Sequence, residues 1–232
     1  MKILIVIPAY NEEKNIVRVV DNLIQNYPEY DYVIVNDGSS DHTKQICEEH
    51  GYHYLNQKVN LGLAGTFQTG IKYAYYHGYD AAIQFDGDGQ HRPEYIAEMI
   101  RKMEEGYDIV IGSRFVDERK PLSMRMFGSN LIECFMFLTT WKRIKDPTSG
   151  MRLYGKRVLK IMAEEANLAP EPDTIAYLMK CGAKVGEVQV KMDERIAGTS
   201  YLTITKSAHY MANVCISIIV ISWFRKKIKI GE

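Results

Sequence analysis

The chain has 232 residues, which is long enough for one large α/β domain with a substantial hydrophobic core. Hydrophobic residues make up 46% of it and charged residues 25%, a balance typical of a folded protein rather than a disordered one. The 29 basic and 29 acidic residues cancel, which excludes the overall positive field of a nucleic-acid-binding protein.

The first part of the chain alternates apolar runs with segments of helical spacing. Residues 3–7 are continuously apolar, as expected of a strand buried on both faces, and Pro8 is expected to end that strand. Glu12 and Glu13 predict the start of a helix, because acidic residues in the first turn suit the helix dipole. That helix is expected to bury one face, formed by Ile16, Val19, Val20 and Leu23.

Repetition of this pattern predicts the fold class. Further strands are expected at 32–35, 53–55, 81–85 and 109–111, and helices at about 41–51, at 63–77 and from Pro93 onward. Strands that alternate with crossover helices predict an α/β domain whose Rossmann-like, mostly parallel sheet is flanked by helices. Ligands bind such sheets beyond the carboxyl ends of the strands, so the polar residues that follow strands are the functional candidates.

The second half of the chain is less regular. The Met- and Phe-rich stretch 122–141 predicts a helix, and 145–154 is expected to be a loop. A short helix is expected at 173–181, ended by Gly182, and alternating apolar residues at 184–192 predict another strand.

The sharpest chemical feature is the turn Asp86-Gly87-Asp88, which follows the strand predicted at 81–85. Two carboxylates this close repel each other unless a cation or protons lie between them. Mg²⁺ and Mn²⁺ prefer carboxylate oxygens and leave positions for phosphate oxygens, and Gln90 offers a further neutral oxygen. The turn is either a metal and diphosphate site or a solvated acidic turn, and its place at the end of a strand favours the metal site.

Asp37 follows the strand predicted at 32–35 in the same way. A carboxylate in this position can accept hydrogen bonds from a nucleobase or a ribose. The other interpretation is an Asx turn or a helix cap, since Asp37-Gly38-Ser39-Ser40-Asp41 has the composition of a cap. Both roles are compatible, because Ser39 and Asp41 are available for capping.

Six motifs, in order along the chain, resemble the signatures of family 2 glycosyltransferases. They are Val6-Ile7-Pro8-Ala9-Tyr10-Asn11-Glu12, Val35-Asn36-Asp37-Gly38-Ser39-Ser40-Asp41, Asp86-Gly87-Asp88-Gly89-Gln90-His91-Arg92-Pro93, Gly112-Ser113-Arg114, Asp146-Pro147-Thr148-Ser149-Gly150-Met151-Arg152, and Glu187-Val188-Gln189-Val190 with Arg195-Ile196-Ala197-Gly198-Thr199-Ser200. The resemblance extends over about residues 3–202. It is more specific for the dolichyl- or undecaprenyl-phosphate sugar transferases, the polyprenyl-phosphate glycosyltransferases.

This resemblance implies a GT-A fold and a nucleotide-diphosphate sugar as donor. The residues that match the family's nucleoside site are Pro8, Tyr10, Glu12, Val35 and Asp37. The residues that match its metal and diphosphate site are Asp86, Asp88 and Gln90, with Gly87 in the same turn, and Arg114 and Arg195 match residues that contact the donor or its diphosphate. Arg125 and Ser129 match an Arg-x-x-x-Ser pattern that holds a lipid phosphate.

The resemblance also implies inversion at the anomeric carbon by in-line displacement. The catalytic roles then fall to Asp88 and Gln90, which hold Mg²⁺ or Mn²⁺, and to Arg195, which stabilises the departing diphosphate. Asp86 is assigned to the metal or to the ribose. A lipid phosphate acceptor is already anionic, so it needs cations for positioning rather than a base. Arg125 and Ser129 lie four residues apart on one face of a predicted helix and, with Arg114, suit that task.

Two other functions stay open. Glu171 and Asp173 fall near the place where other family 2 enzymes carry an acidic base, which fits a transferase that extends a cell-wall or exopolysaccharide glycan at a sugar hydroxyl. The same residues also suit a helix start, with a structural or substrate-orienting role. The second is a non-catalytic subunit that binds a nucleotide sugar, which the intact acidic pair disfavours. A Rossmann dehydrogenase is disfavoured, because no G-x-G-x-x-G follows the first strand.

One departure from the family pattern bears on the donor sugar. Members that resemble the mannosyl branch carry Lys after Gly-x-Ser, whereas here Gly198-Thr199-Ser200 is followed by Tyr201. The missing cation favours UDP-glucose or UDP-N-acetylglucosamine over GDP-mannose.

The C-terminal segment is strongly apolar at 211–224 and basic at 225–229. The apolar stretch is shorter than the ~20 residues that span a bilayer, and Trp223 followed by basic residues suits the membrane surface or a small membrane-protein partner. The other interpretation is a core helix with a solvated tail. We therefore divide the chain into a catalytic domain at 1–205 and a C-terminal helix and tail at 206–232.

The expected location is the cytoplasm, peripheral on the inner face of the cell membrane. The N-terminus shows no signal-peptide pattern, and the four widely spaced cysteines form no zinc-ligand or disulfide pattern, which suits a reducing compartment. Formation of a homo-oligomer is left open.

Overall fold

A seven-stranded sheet forms the centre of the computed structural model, which describes residues 1–165, 168–193, 204–228 and 230. The strands are β1 (Ile3–Ala9), β2 (Asp31–Asn36), β3 (Tyr54–Asn56), β4 (Ala81–Gln84), β5 (Ile109–Ser113), β6 (Arg152–Gly155) and β7 (Val185–Gln189). The helices are α1 (Ile16–Asn26), α2 (Thr43–Glu49), α3 (Gly62–Tyr76), α4 (Ile96–Glu104), α5 (Met124–Thr140), α6 (Lys156–Glu164), α7 (Pro172–Lys180) and α8 (Ile204–Phe224), and a 3₁₀ turn at Pro93–Tyr95 precedes α4.

The strand order is β3-β2-β1-β4-β6-β5-β7, and β6 runs antiparallel to both of its neighbours. The other pairs are parallel, with Ile5 of β1 opposite both Tyr32 of β2 and Ile83 of β4. The prediction of a mostly parallel sheet flanked by helices is confirmed. Because β1, β2, β4 and β5 point the same way, the residues that follow them meet along one edge.

Two apolar layers hold the helices against the sheet. Alternate residues of β1 point to opposite faces, so that Leu4 and Val6 belong to one layer and Ile5 and Ile7 to the other. The first layer contains buried residues of α3, α5, α6, α7 and α8. The second contains those of α1, α2 and α4, and includes the predicted α1 face of Ile16, Val19, Val20 and Leu23.

Two predictions near the N-terminus were wrong in their bounds. β1 continues through Pro8, which lies opposite Val35, because proline removes only one donor and its φ suits an extended strand. The first helix begins at Ile16 and has no acidic residue in its first turn. Glu12 instead forms a turn, in which its carbonyl accepts the N–H groups of Asn15 and Ile16, both at 2.9 Å.

The predicted loop at 145–154 was also wrong in its last part. Arg152–Gly155 form β6, which is inserted between β4 and β5, and α6 follows it directly. The buried Arg152 concealed this strand, since a charged residue is untypical of a central position. Its guanidinium donates to the carbonyls of Pro147, at 2.8 Å, and Pro170, and so joins two loops beside the sheet.

The C-terminal helix α8 is longer than the apolar stretch that predicted it. It packs against α5 and α7, and Val214, Cys215 and Ile218 lie in the first apolar layer. Among the residues that the structure describes, no helix combines the length and apolar character needed to cross a membrane. The division of the chain at residue 205 stays a prediction.

Candidate functional site

The loop after β2 places Asp37 at the carboxyl edge of the sheet. Asp37 is buried, its N–H donates to the Ala9 carbonyl at 2.8 Å, and its Oδ1 accepts the N–H of Leu61 at 2.7 Å. Asp41, not Asp37, serves the start of α2, because its Oδ1 accepts the Thr43 N–H at 3.0 Å. Asp37 therefore shapes the loop that ends at Leu61 with one oxygen, and Val35 supports it from the buried end of β2.

A clasp joins the loops after β1 and β2. Asn11 adopts a left-handed φ of 57°, its N–H donates to Ser39 Oγ at 2.9 Å, and its Oδ1 accepts the Ser40 N–H at 2.9 Å. These bonds hold Tyr10, which is 40% exposed, and Glu12 beside the Asp37 loop. The structure thus brings together the five residues predicted to surround the nucleoside, Pro8, Tyr10, Glu12, Val35 and Asp37.

The acidic turn lies directly after β4 and against the end of β1. A Cβ at Gly87 would lie 3.1 Å from the Pro8 carbonyl oxygen and 3.7 Å from Glu12 Cγ, so this close approach favours glycine. Asp88 is buried, and its Oδ1 accepts the Gln90 N–H at 3.0 Å. The Asp86 side chain is one-third exposed and faces Gly150, where a Cβ would lie 3.0 Å from Asp86 Oδ2.

Buried His91 fixes the backbone of the turn. The Asp86 N–H donates to His91 Nδ1 at 2.9 Å, so Nδ1 carries no proton and Nε2 does. That Nε2 lies 3.6 Å from Asp86 Oδ2, and the ring packs edge-on against Phe85. His91 therefore fixes the backbone of Asp86 through Nδ1, and its other ring nitrogen lies near the Asp86 carboxylate.

The chain that leaves β7 returns to the acidic turn. Asp193 N–H donates to the Gln90 carbonyl at 2.9 Å, and Gln90 Nε2 donates to the Asp193 carbonyl at 3.2 Å. Arg92 binds the Asp193 carboxylate through Nε, at 2.8 Å, and through Nη2. Arg195, two positions further along the sequence, lies outside the described residues.

The residues of the turn can supply only part of the coordination of a divalent cation, so a bound substrate has to supply the remaining oxygen atoms. In the part of the chain that the structure describes, no three His, Cys, Asp or Glu side chains are grouped to hold a metal ion. Asp86 and Asp88 supply two carboxylates and Gln90 an amide oxygen. Such a donor set is typical of Mg²⁺ or Mn²⁺ sites that also take phosphate oxygens from a substrate.

Arg114 follows β5 and is bound to a buried carboxylate. Its Nε and Nη2 donate to Asp146 at 2.7 and 2.9 Å, and its backbone N–H donates to the same group at 3.1 Å. Glu187 holds Asp146 in turn, since its carboxylate accepts the N–H groups of Lys145 and Asp146 at 2.8 and 2.9 Å. Arg114 keeps further N–H donors for a ligand, because Asp146 takes only part of its guanidinium.

Ser129 lies buried on α5 beside the Arg114 loop. Its Oγ is 3.5 Å from Thr148 Oγ1, which in turn is 3.5 Å from Arg114 Nη2. Lys120 Nζ also lies 3.5 Å from Ser129 Oγ and forms an ion pair with Glu133 at 2.7 Å. The structure therefore groups Arg114, Ser129 and Lys120, while the Arg125 side chain lies outside the described part of α5.

Glu171 and Asp173 face α8. Glu171 accepts a hydrogen bond from the Tyr210 hydroxyl, and Asp173 Oδ2 accepts one from Ser217. Burial raises the pKa of Glu171 above its ordinary value, although the Tyr210 hydrogen bond and the charge of Arg152 oppose the shift. These contacts support a structural role for both carboxylates rather than the role of a base.

The model of the family described as glycosyl transferase family 2 matches residues 4–161 of this chain, more than half of its length. The chain belongs to glycosyl transferase family 2. A relative from Methanococcus voltae, named UDP-N-acetylglucosamine–dolichyl-phosphate N-acetylglucosaminyltransferase, is 34% identical over 215 residues, which cover 82% of this chain and 84% of the relative. The undecaprenyl-phosphate mannosyltransferase of Micrococcus luteus is 28% identical over 219 residues and covers 88% of each chain.

Among solved structures, the chain is similar to glucosyl-3-phosphoglycerate synthase from Mycobacterium tuberculosis, crystallised with Mn²⁺, uridine diphosphate and phosphoglyceric acid. The TM-score is 0.67 at 15% identity, over 95% of this chain and 78% of that one. This likeness confirms the GT-A-type fold. With the family, it makes the chain a glycosyltransferase of the family 2 type.

Several residues that shape this glycosyltransferase site had no predicted role. Asp146 and His91 belong to motifs that carried the family resemblance, so the sequence contained a signal for them. No sequence motif indicated a role for Lys120 or Tyr210, because only the tertiary fold brings them next to Ser129 and Glu171.

Proposed function

We propose that this family 2 enzyme transfers a sugar, with inversion, from a nucleotide-diphosphate sugar to a polyprenyl phosphate during cell-envelope glycan synthesis. The observation that carries the proposal is the position of the acidic turn, which lies between the nucleoside loops and the loop that binds Arg114. On one side Gly87 meets Pro8 and Glu12 of the nucleoside loops, and on the other Asp86 meets Gly150 of the loop that holds Arg114. A donor diphosphate at this turn lies between a nucleoside site and a cationic cluster.

The donor diphosphate is assigned to the turn itself. Asp86, Asp88 and Gln90 are the residues that would hold Mg²⁺ or Mn²⁺, which supplies positive charge to the departing diphosphate. Asp88 is kept in place by its bond to the Gln90 N–H, and Asp86 by His91. Arg195 is assigned to the same diphosphate.

The acceptor phosphate is assigned to the cluster of Arg114, Ser129 and Lys120, with Arg125. A phosphate monoester is anionic near neutral pH, so the enzyme needs cations and hydroxyls that orient it, and no base. The bonds that Glu171 and Asp173 make to α8 support this choice over a sugar-hydroxyl acceptor.

For the donor we propose a UDP-sugar, glucose or N-acetylglucosamine. The absence of Lys after Ser200 supports it, as does the relative from Methanococcus voltae, whose name specifies UDP-N-acetylglucosamine. The mannosyltransferase from Micrococcus luteus makes GDP-mannose the competitor to include in any screen.

The decisive experiment is a transfer assay with radiolabelled UDP-N-acetylglucosamine, UDP-glucose and GDP-mannose. Each donor is offered undecaprenyl phosphate, dolichyl phosphate or a glycan acceptor, with Mg²⁺, with Mn²⁺ or with EDTA. We expect a labelled lipid product from one UDP-sugar, and none with EDTA. Label in the glycan alone, or donor binding without turnover, would reject the proposal.

Metal and donor are also expected to bind together. Because two carboxylates and an amide form an incomplete cation site, Mn²⁺ alone should bind weakly and UDP should tighten it by about tenfold or more. Titration calorimetry with Mn²⁺, with and without UDP, measures this coupling. Equal Mn²⁺ affinity in both titrations would mean that the cation does not bind between the acidic turn and the UDP diphosphate.

A further inference from the structure

The outer face of α5 carries an exposed apolar stripe. Phe127, Leu131, Leu138 and Trp141 recur at helical spacing and are all exposed, and exposed Cys134 falls in the same row. Trp141 ends the stripe with 78% of its surface exposed. A soluble surface rarely keeps so many large apolar side chains in one row, so the stripe indicates a contact.

A second exposed apolar row runs along α8. Its members are Ile216, Ile219, Val220, Trp223 and Phe224. They lie opposite the helix face that Val214, Cys215 and Ile218 bury in the core. The helix is thus apolar on two faces, of which the protein's own core covers one.

The two helices that carry these rows are neighbours and run in the same direction. A Cβ at Gly128 of α5 would overlap Met211 of α8, so the helices touch closely there. Further along, Cys134 lies close enough to Cys215 that, after burial, it contributes to the raised pKa of that thiol. Because residue number rises along both helices between these contacts, α5 and α8 are parallel.

Basic residues collect at the shared C-terminal end. Lys142 and Arg143 follow Trp141, and Arg225, Lys226 and Lys227 follow Phe224. The end of α8 is anchored on α7, since the Tyr177 hydroxyl donates to the Lys226 carbonyl at 2.7 Å and Arg225 lies 4.6 Å from the Tyr177 ring centre. The backbone at Lys226 and the Arg225 guanidinium are therefore held in place just after Trp223 and Phe224.

We propose that the exposed rows of α5 and α8 form one docking surface for an anionic lipid bilayer, with the basic end at the phosphate level. Aromatic residues that border an apolar face, followed by lysine and arginine, match the order of a bilayer from acyl chains to anionic headgroups. This docking surface rests on the proposed function, since a polyprenyl phosphate lies in a membrane. Ser129 is carried by the buried face of the same helix α5, so one helix links the phosphate cluster to the docking surface.

Vesicle sedimentation tests the surface without any substrate. The wild-type chain is mixed with vesicles of phosphatidylglycerol and phosphatidylcholine, or of phosphatidylcholine alone, at low and high salt. The test variant combines Leu138→Asp with Val220→Asp. The control combines Tyr76→Asp with Ile24→Asp, and Ile24 matches Val220 in exposure at 45% against 46%.

We expect the wild type and the control to bind anionic vesicles, with weaker binding at high salt, and the test variant to lose ~10-fold or more in affinity. Lys226→Glu with Lys227→Glu is expected to weaken binding to anionic vesicles while it leaves binding to neutral ones unchanged. Equal binding by test variant and control overturns the proposal. The proposal is also overturned if the wild type is a dimer that does not bind vesicles and the test variant is a monomer. The exposed rows would then form an interface between two copies of the chain.

Transfer to a short, water-soluble prenyl phosphate separates the two proposals. The test variant is expected to keep wild-type turnover on this acceptor and to lose it on undecaprenyl phosphate in vesicles. An inactive wild type that still binds anionic vesicles would reject the proposed function and leave the docking surface standing. Equal turnover of the test variant and the wild type on vesicle-borne acceptor would overturn the docking surface alone.

Discussion

Asp88 is buried at the exit of β4, where ionised carboxylates are costly unless they are bound. Asparagine in its place keeps an oxygen for the Gln90 N–H but removes the charge. We therefore predict that Asp88→Asn folds normally and loses about 10²–10³-fold in kcat. The transfer assay measures the loss, and Glu98→Gln, an exposed neutralisation on α4, is the control. Wild-type turnover in Asp88→Asn would show that the charge of the acidic turn is not needed for catalysis.

Two ion pairs with buried aspartates flank β5, Arg114–Asp146 after its end and Arg157–Asp108 before its start. Asp146 is fully buried and binds Arg114 after the end of β5, whereas buried Asp108 binds Arg157 just before β5 begins. Asp146→Asn and Asp108→Asn should each lower the free energy of unfolding by about 1–3 kcal/mol, measured in urea. Only Asp146→Asn should raise the KM for the lipid phosphate, because only that change releases Arg114. A KM effect of equal size in both variants would mean that lost stability alone explains it.

At the scale of helices and strands, the periodicity of apolar residues predicted most of the sheet. It failed where tertiary contacts determine the secondary structure. The apolar runs of β1, β2, β4 and β5 are long enough to identify a parallel sheet, and the residues after them include the acidic turn and Asp37. β6 escaped prediction because its Arg152 is satisfied by the carbonyls of distant loops. The start of α1 was misplaced because the Asn11 clasp, which spans 28 residues, takes Glu12 out of the helix.

The contact between α7 and α8 includes a partly buried hydrogen bond from the Tyr210 hydroxyl to Glu171. Tyr210→Phe leaves the partly buried Glu171 carboxyl without its donor, which should lower the free energy of unfolding by about 1–2 kcal/mol. Tyr75→Phe removes the same kind of bond, to Glu164, on an exposed surface, and should cost less than about 0.5 kcal/mol. Urea unfolding of both variants checks the difference. Equal losses would show that the α7–α8 contact does not rely on this pair.

Across the whole molecule, one apolar layer joins the sheet, α7 and α8, so the C-terminal helix shares the stability of the core. The carboxyl edge carries the donor loops, and the outer faces of α5 and α8 carry the exposed apolar rows. Substrate site and docking surface therefore meet at α5, which contributes Ser129 to one and Phe127 to the other.

Glu171 makes the stability of the molecule depend on pH in a definite direction. Because burial raises its pKa above the ordinary value of 4.5, its contribution is fully present below that pH and is lost as pH rises through the folded-state pKa. Glutamine stays neutral at every pH and still accepts the Tyr210 hydrogen bond. The melting temperatures of Glu171→Gln and wild type should therefore agree near pH 4, and the variant should gain stability over the wild type as pH rises toward 8. Thermal unfolding followed by circular dichroism measures this difference directly. A difference that is constant with pH would show that Glu171 ionises as freely in the folded chain as in the unfolded one.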